Sequence, residues 1–284
     1  MATAVVFAYH DVGVRCLRVL LDAGVAVPLV VTHRDDPKEA IWFASVAELA
    51  HGRNIEVLLD PPPAEIDSRV QRIAPDFIFS FYYRRMLPPD VLALAKRGAY
   101  NMHGSLLPKY RGRAPVNWAV LHGEKETGAT LHEMVAKPDA GRIVDQQAVP
   151  IGPDDTAVDV FRRVTDAAEI VMKRSIEKLV HGTAELRPND LSKGSYFGGR
   201  RPEDGRIDWR KSAREIHNLV RAVAPPYPGA FTDHMEIYRT ELVDGTATPG
   251  PLGPYRKDGE WFARCGDGKV LRLLEVRDSF SKKS

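Results

Sequence analysis

Cysteine is scarce in this sequence: of 284 residues only Cys16 and Cys265 carry a thiol, far apart and without partners at metal-binding spacing. That excludes a disulfide framework and makes a reducing compartment the expectation. A long apolar run is also missing, since nothing approaches the roughly 20 residues that cross a bilayer. The opening stretch MATAVVFAYHDVG has no basic leader, and His10 and Asp11 interrupt its apolar run. It reads as a buried first strand and not a signal peptide, so the expected location is cytoplasmic. Charge of one sign is lacking too. Lys and Arg number 40 against 38 Asp and Glu, and residues 201–284 carry 15 against 13. A module that grips nucleic acid normally shows a stronger basic stripe, so no nucleic-acid partner is expected.

Motif absences narrow the chemistry further. A dinucleotide fold would want Gly-x-Gly-x-x-Gly after the first strand, where this chain has His10–Asp11–Val12–Gly13. Gly266–Asp267–Gly268–Lys269–Val270 lacks both the spacing and the hydroxyl residue of a P-loop. His132–Glu133 has no second histidine four residues after the first, so no metal is expected.

What is present is the pattern of a soluble α/β protein. Hydrophobic residues make up 44% and charged residues 27%, enough apolar material for a sizeable core. Apolar runs near residues 4–8, 25–31, 55–59, 76–81 and 98–103 read as strands, with helical patterns between them, one of them opened by Pro37. Residues 127–134 and 143–149 read as later strands of the same sheet. Asp154, Asp155 and Thr156 offer caps for a long helix stopped near Gly182. Strands apolar throughout predict a Rossmann-like parallel sheet with helices on both faces. Residues 190–206, rich in glycine and polar residues, read as a linker between a catalytic domain (1–189) and a small, mainly β, OB-like domain (207–284). In that last part a helix is predicted near 213–224, and Gly266–Asp267–Gly268 predicts a hairpin turn.

Ligands of open parallel sheets bind beyond the carboxyl ends of the strands. Asn101 and His103 stand at such an end, two apart, so an amide and an imidazole share one side while Met102 faces away. By itself an Asn-x-His at a strand end is more often a hydrogen-bonded turn than a catalytic pair. The loop that follows, SLLPKYRGRAP, is stiffened by Pro108 and Pro115 and carries Lys109, Arg111 and Arg113. Those cations fit a solvated face or an anion site.

Asn101–Met102–His103–Gly104–Ser105–Leu106–Leu107–Pro108, then Tyr110–Arg111–Gly112–Arg113–Ala114–Pro115, resembles the signature of the folate-dependent formyltransferases. Asp139–Ala140–Gly141 is similar to the family's second motif. Ile207–Asp208–Trp209, His217–Asn218–Leu219–Val220–Arg221–Ala222 and Tyr227–Pro228–Gly229–Ala230–Phe231 resemble its small-domain signature. The resemblance spans nearly the whole chain. It implies 10-formyltetrahydrofolate as donor, an amine as acceptor, and Asn101, His103 and Asp139 as the catalytic triplet. By the same resemblance, Arg85, Met86, Leu87, Arg113, Val135, Ala136, Lys137 and Pro138 contact the folate. Asp139 enters only through the resemblance; alone it would read as a turn residue.

Within the family, Ala8–Tyr9–His10–Asp11 and Phe79–Ser80–Phe81–Tyr82–Tyr83–Arg84 look like the ArnA branch, which formylates UDP-4-amino-4-deoxy-L-arabinose for lipid A modification and polymyxin resistance. The methionyl-tRNA formyltransferases usually carry a Gly- and Lys-rich insertion after the second strand, where residues 32–40 here are acidic as well as basic. A UDP-amino-sugar is therefore the expected acceptor, with methionyl-tRNA or another nucleotide-linked amino sugar as the alternatives. A formylfolate hydrolase would be expected to carry a further N-terminal domain. The decarboxylase half of the ArnA branch is not seen, which fits either a free-standing enzyme or an excised domain, and the oligomeric state is left open.

Overall fold

The computed structural model describes residues 1–37, 39–246 and 250–278. Five strands come first, β1 (Thr3–Ala8), β2 (Ala26–Thr32), β3 (Glu56–Leu59), β4 (Phe77–Phe81) and β5 (Gly98–His103). Four helices alternate with them, α1 (His10–Asp22), α2 (Val46–His51), α3 (Pro63–Ile73) and α4 (Pro89–Leu92). Next come β6 (Arg111–Gly112), α5 (Pro115–Leu121), β7 (Glu126–Glu133), β8 (Ile143–Pro150), α6 (Ala157–His181), β9 (Tyr196–Phe197) and α7 (Ala213–Val223). The last strands are β10 (Ala230–Phe231), β11 (Met235–Thr246), β12 (Gly253–Lys257), β13 (Glu260–Arg264) and β14 (Lys269–Asp278).

The chain divides into two units. The first comprises Met1–Gly112, Gly128–Val149 and Arg163–Phe197; the second comprises Arg113–Thr127, Pro150–Arg162 and Gly198–Ser284. The large sheet has the order β3-β2-β1-β4-β5-β7-β8. Val5 and Phe7 of β1 share a core with Leu29, Val31, Ile78, Ile66 and Val70 of α3, and Val91 of α4. Ala4, Val6 and Ala8 on the opposite side of β1 are fully buried as well, so both faces are covered.

The strands β1 to β5 pair in parallel, but β7 runs antiparallel to β5, with Asn101 opposite His132 and His103 opposite Thr130. The expected parallel sheet is thus mixed at one end. A strand buried on both faces is apolar in either direction, so its composition carries no sign of orientation.

His10 and Asp11, which interrupt the apolar run of β1, form the first turn of α1. One local expectation changes. The helix expected from Pro37 is absent among described residues 37 and 39–45; α2 starts at Val46, capped by Ser45, whose hydroxyl accepts from Glu48 N–H. The intervening chain is held open by tertiary contacts: Phe43 stacks on His10 at 3.8 Å, and Ala44 N–H donates to Asp11 Oδ1 at 2.8 Å. Packing of two aromatic side chains outweighs the weak helix propensity of so short a stretch.

The second unit holds an antiparallel sheet of order β10-β11-β14-β13-β12. Its hairpin β13–β14 turns at Gly266–Asp267–Gly268 as expected, with Gly268 at φ 75°. α7 opens on a capping box, Ser212 with Glu215, and buries Ile216, Val220 and Val223 against Ile237, Leu271 and Leu273. Arg221 on its other side is buried and donates to the carbonyls of Asp155 (2.9 Å) and Val120 (3.3 Å). The family-like residues of this segment are therefore framework: they fasten α7 to its surroundings within the unit. No helix among the described residues is long and apolar enough to cross a membrane.

Candidate active site

β5 delivers Asn101 and His103 to the carboxyl edge of the large sheet, and the 1% exposed Met102 between them points into the core. His103 is itself buried. Its Nε2 lies 2.8 Å from the Tyr110 carbonyl oxygen, which only accepts, so Nε2 carries the hydrogen and donates. In the neutral ring the lone pair then sits on Nδ1, and Nδ1 faces Asp139 Oδ1 at 3.6 Å. The backbone fixes the tautomer.

Asp139 approaches from the segment after β7, in the left-handed region at φ 49° that Asp tolerates better than most residues. Its Oδ2 accepts the Gly112 N–H at 2.8 Å, and its main-chain oxygen accepts from Asn189 Nδ2 at 3.1 Å. Burial pushes its pKa up, but the positive charge that His103 and His132 bear when protonated, with the Gly112 N–H, more than offsets this and holds the carboxyl well below the usual carboxylate range. An ionised Asp139 is thus built into the site at neutral pH.

His132 is the residue that reading the sequence missed as part of this cluster. It is 1% exposed, directly opposite Asn101 across the β5–β7 ladder. Its Nδ1 donates to the Glu133 carbonyl at 2.7 Å, which leaves Nε2 to accept from Asn101 Nδ2 at 3.2 Å. Asp139 Oδ1 lies 3.4 Å from the same Nε2. His132 therefore orients the Asn101 amide while leaving its second N–H free. The signal that could have found it is cross-strand register, which requires knowing that β7 pairs with β5.

The loop that follows His103, residues 104–112, is kept in place by the segment 191–197. Arg111 N–H donates to the Ser195 carbonyl at 3.0 Å, Tyr110 N–H to Ser195 Oγ at 2.9 Å, and Phe197 stacks on Tyr110 at 5.4 Å. Gly112 sits at φ 99°, and a Cβ there would meet the Phe197 carbonyl oxygen at 2.1 Å. Gly112→Ala is therefore expected to destabilise the protein by roughly 2 kcal/mol or more and to lower turnover, because the same residue's N–H holds Asp139. Thermal melting and steady-state turnover of the variant check this; an unchanged melting temperature would refute the role given to the close approach.

The remaining sequence-predicted residues divide. Arg85 and Met86 are exposed and Leu87 is buried in the first unit's core, where Met134 and Tyr83 also pack. Val135, Ala136 and Lys137 are exposed, and Pro138 is half-buried beside Asp139. The loops 83–87 and 134–139 thus share one hydrophobic anchor and present Met86 (63% exposed) and Val135 (42%) outward. Arg113 belongs to the second unit, where its side chain runs beside Gly199. Of the other cations, Arg84 is committed to Glu39 (3.0 and 2.6 Å) and lies over the Tyr9 ring. Among the described residues no group of three or more His, Cys, Asp or Glu side chains is placed to hold a metal ion.

A formyl transferase family model matches residues 20–176, and the model of the formyl transferase C-terminal domain matches residues 200–284. Among solved structures, the chain is similar to the N-formyltransferase from Helicobacter canadensis in complex with folinic acid and dTDP-3-aminofucose. That match has 23% identity over 96% of this chain and 99% of the other, at a TM-score of 0.77. It is also similar to WlaRD, a sugar 3N-formyl transferase solved with dTDP and 5-N-formyl-THF, at 20% identity, 98% of each chain and a TM-score of 0.76. Glycinamide ribonucleotide transformylase 1 from Symbiobacterium toebii matches at 25% identity over 67% of this chain and 95% of its own, with a TM-score of 0.57. At 20–23% identity the first two matches speak for the fold.

Proposed function

The chain belongs to the formyl transferase family, and from that premise we propose that it moves a formyl group from 10-formyltetrahydrofolate to the amine of a nucleotide-linked amino sugar. The observation that carries the reading is the convergence of Asn101, His103 and an ionised Asp139 at one strand end. The donor supplies an activated formyl group on nitrogen, and the exposed side chains of Met86 and Val135 offer apolar surface to its flat ring system.

The chain's own residues do the rest. Asn101, its amide turned by His132, donates its free N–H to the negative charge that develops on the formyl oxygen. One such donor is typically worth roughly 3–4 kcal/mol of barrier. His103 offers the Nδ1 lone pair to the proton released by the attacking amine, and Asp139 faces the imidazolium so formed. His103 then returns that proton to the departing folate nitrogen. Proton handling of this kind is worth roughly 10²–10⁴-fold. Arg85, Leu87 and the 135–138 segment hold the folate through their main chain, since the Leu87 side chain is spent on the core and Arg85 is bonded to Asp60.

UDP-4-amino-4-deoxy-L-arabinose is the acceptor favoured by the motifs at residues 8–11 and 79–84, and a dTDP-linked amino sugar is favoured by what the two similar sugar formyltransferases hold. Incubating the protein with 10-formyltetrahydrofolate and, separately, each amino sugar and methionyl-tRNA tests this. Tetrahydrofolate release is expected with an amino sugar. Release with methionyl-tRNA alone would overturn the acceptor, and release without any acceptor would make the protein a hydrolase.

A further inference from the structure

The turn that follows β4 is fastened by two side chains from other strand ends. His33, one residue past β2, has its side chain 7% exposed, and its ring stacks on Tyr83 at 4.3 Å and 15°. The Arg84 main-chain N–H donates to His33 Nε2 at 3.0 Å. A backbone N–H has no lone pair to give, so Nε2 must be the unprotonated nitrogen. Nδ1 then carries the hydrogen and donates to Asp60 Oδ1 at 2.8 Å. Asp60, one residue past β3, is fixed in turn: its N–H donates to the Thr32 carbonyl at 3.0 Å, and its Oδ2 accepts from Arg34 N–H at 2.9 Å. The same carboxylate takes the Arg85 guanidinium at 3.0 Å.

We propose that His33 and Asp60 are positioning residues for the folate: they set the path of the Arg84–Arg85–Met86 turn, and His33 does so only as a neutral ring. The proposal rests on the reading above that 85–87 contact the folate. Several observations support it. Arg84 and Arg85 are exposed, so the core does not locate their main chain, and Met86 points outward between them and the buried Leu87. The Arg84 and Arg85 side chains are tied down through Glu39, Tyr9, Pro61 and Asp60, but the turn's own main chain is held by the bond to Nε2, on a ring fixed by the Tyr83 stack and Asp60. None of these touches Asn101, His103 or Asp139.

A charge argument gives the proposal a pH signature. Protonating His33 would turn Nε2 from acceptor to donor, facing the Arg84 N–H. The groups that face the ring are the Asp60 carboxylate, the Arg84 and Arg85 guanidinium groups, the Tyr83 ring and the edge of Tyr9. Burial, assisted by the two arginines, lowers the His33 pKa against the pull of Asp60. The neutral, turn-holding ring therefore persists through neutral pH and is lost only in acid.

The protein and its variants would be titrated with 5-formyltetrahydrofolate, and kcat and KM measured with 10-formyltetrahydrofolate. His33→Ala is expected to weaken folate binding about tenfold and raise KM to match, with kcat at saturating folate within about twofold. His33→Gln places an amide oxygen where Nε2 stood and should recover most of the affinity; His33→Asn keeps the Asp60 bond but cannot reach Arg84 and should not. Wild-type affinity should fall as pH drops below the ordinary histidine range, and that fall should be absent in His33→Gln. Unchanged folate affinity in His33→Ala overturns the proposal, as does a loss expressed in kcat, or equal loss in the Gln and Asn variants. Met86→Asp separates the layers. If it leaves folate binding intact, the folate lies elsewhere and the reading of 85–87 falls, taking this inference with it. If it abolishes binding while His33→Ala does not, the inference alone fails.

Discussion

His103→Ala is expected to lower turnover by at least about a hundredfold while folate still binds. The expectation follows from how the ring is held. Its Nε2–H is committed to the Tyr110 carbonyl, so the nitrogen facing Asp139 is the one able to take a proton. Removing the ring deletes the imidazole nitrogen that faces the Asp139 carboxylate with its lone pair uncommitted. The fold should survive, because the Tyr110 loop keeps its bonds to Ser195 and its stack on Phe197. Single-turnover kinetics and a folate titration on the same preparation separate the two effects. Near-normal turnover would sink the proton-transfer role, whereas lost folate binding would show that the ring is structural.

Asp139→Asn should be nearly as damaging, for a different reason. The amide can still accept from Gly112 N–H, but it presents no charge to His103. An imidazolium formed during transfer would then stand in a buried place without its counter-ion, and turnover should fall by about a hundredfold or more. The substitution also has a signature in stability. Asp139 titrates lower in the folded protein than its ordinary value near 4. Its ionised form therefore contributes stability that is fully present above the unfolded pKa and is lost as pH falls through the folded one. Melting curves of wild type and variant should differ most near neutrality and converge in acid. A gap that stays constant from pH 7 to pH 3 would contradict the buried-anion picture.

Parts of this arrangement were legible before any coordinate was known. The alternation at residues 98–103 placed Asn101 and His103 on one side of a strand end, and β5 has those bounds. The Gly266–Asp267–Gly268 turn and the helix at 213–223 were equally readable, because each is decided by neighbours a few residues away. The stretch after Pro37 was not, because its conformation is set by Phe43 meeting His10, more than thirty positions earlier. Asp139 was reached only through the resemblance of its motif: nothing local distinguishes it from a turn residue, and its depressed pKa comes from His103, His132 and Gly112.

Local interactions and periodicity, then, are what the sequence by itself determined: most of the elements, the strand end carrying an amide and an imidazole, and through its motifs the family. The tertiary structure decided which nitrogen of His103 is free, that His132 steers Asn101, and that Asp139 stays ionised. Each of these depends on an atom brought within about 3–4 Å by strand pairing or loop docking, where hydrogen bonds and charges act. The direction of β7 sets His132 opposite Asn101, and a strand buried on both faces reads the same in either direction.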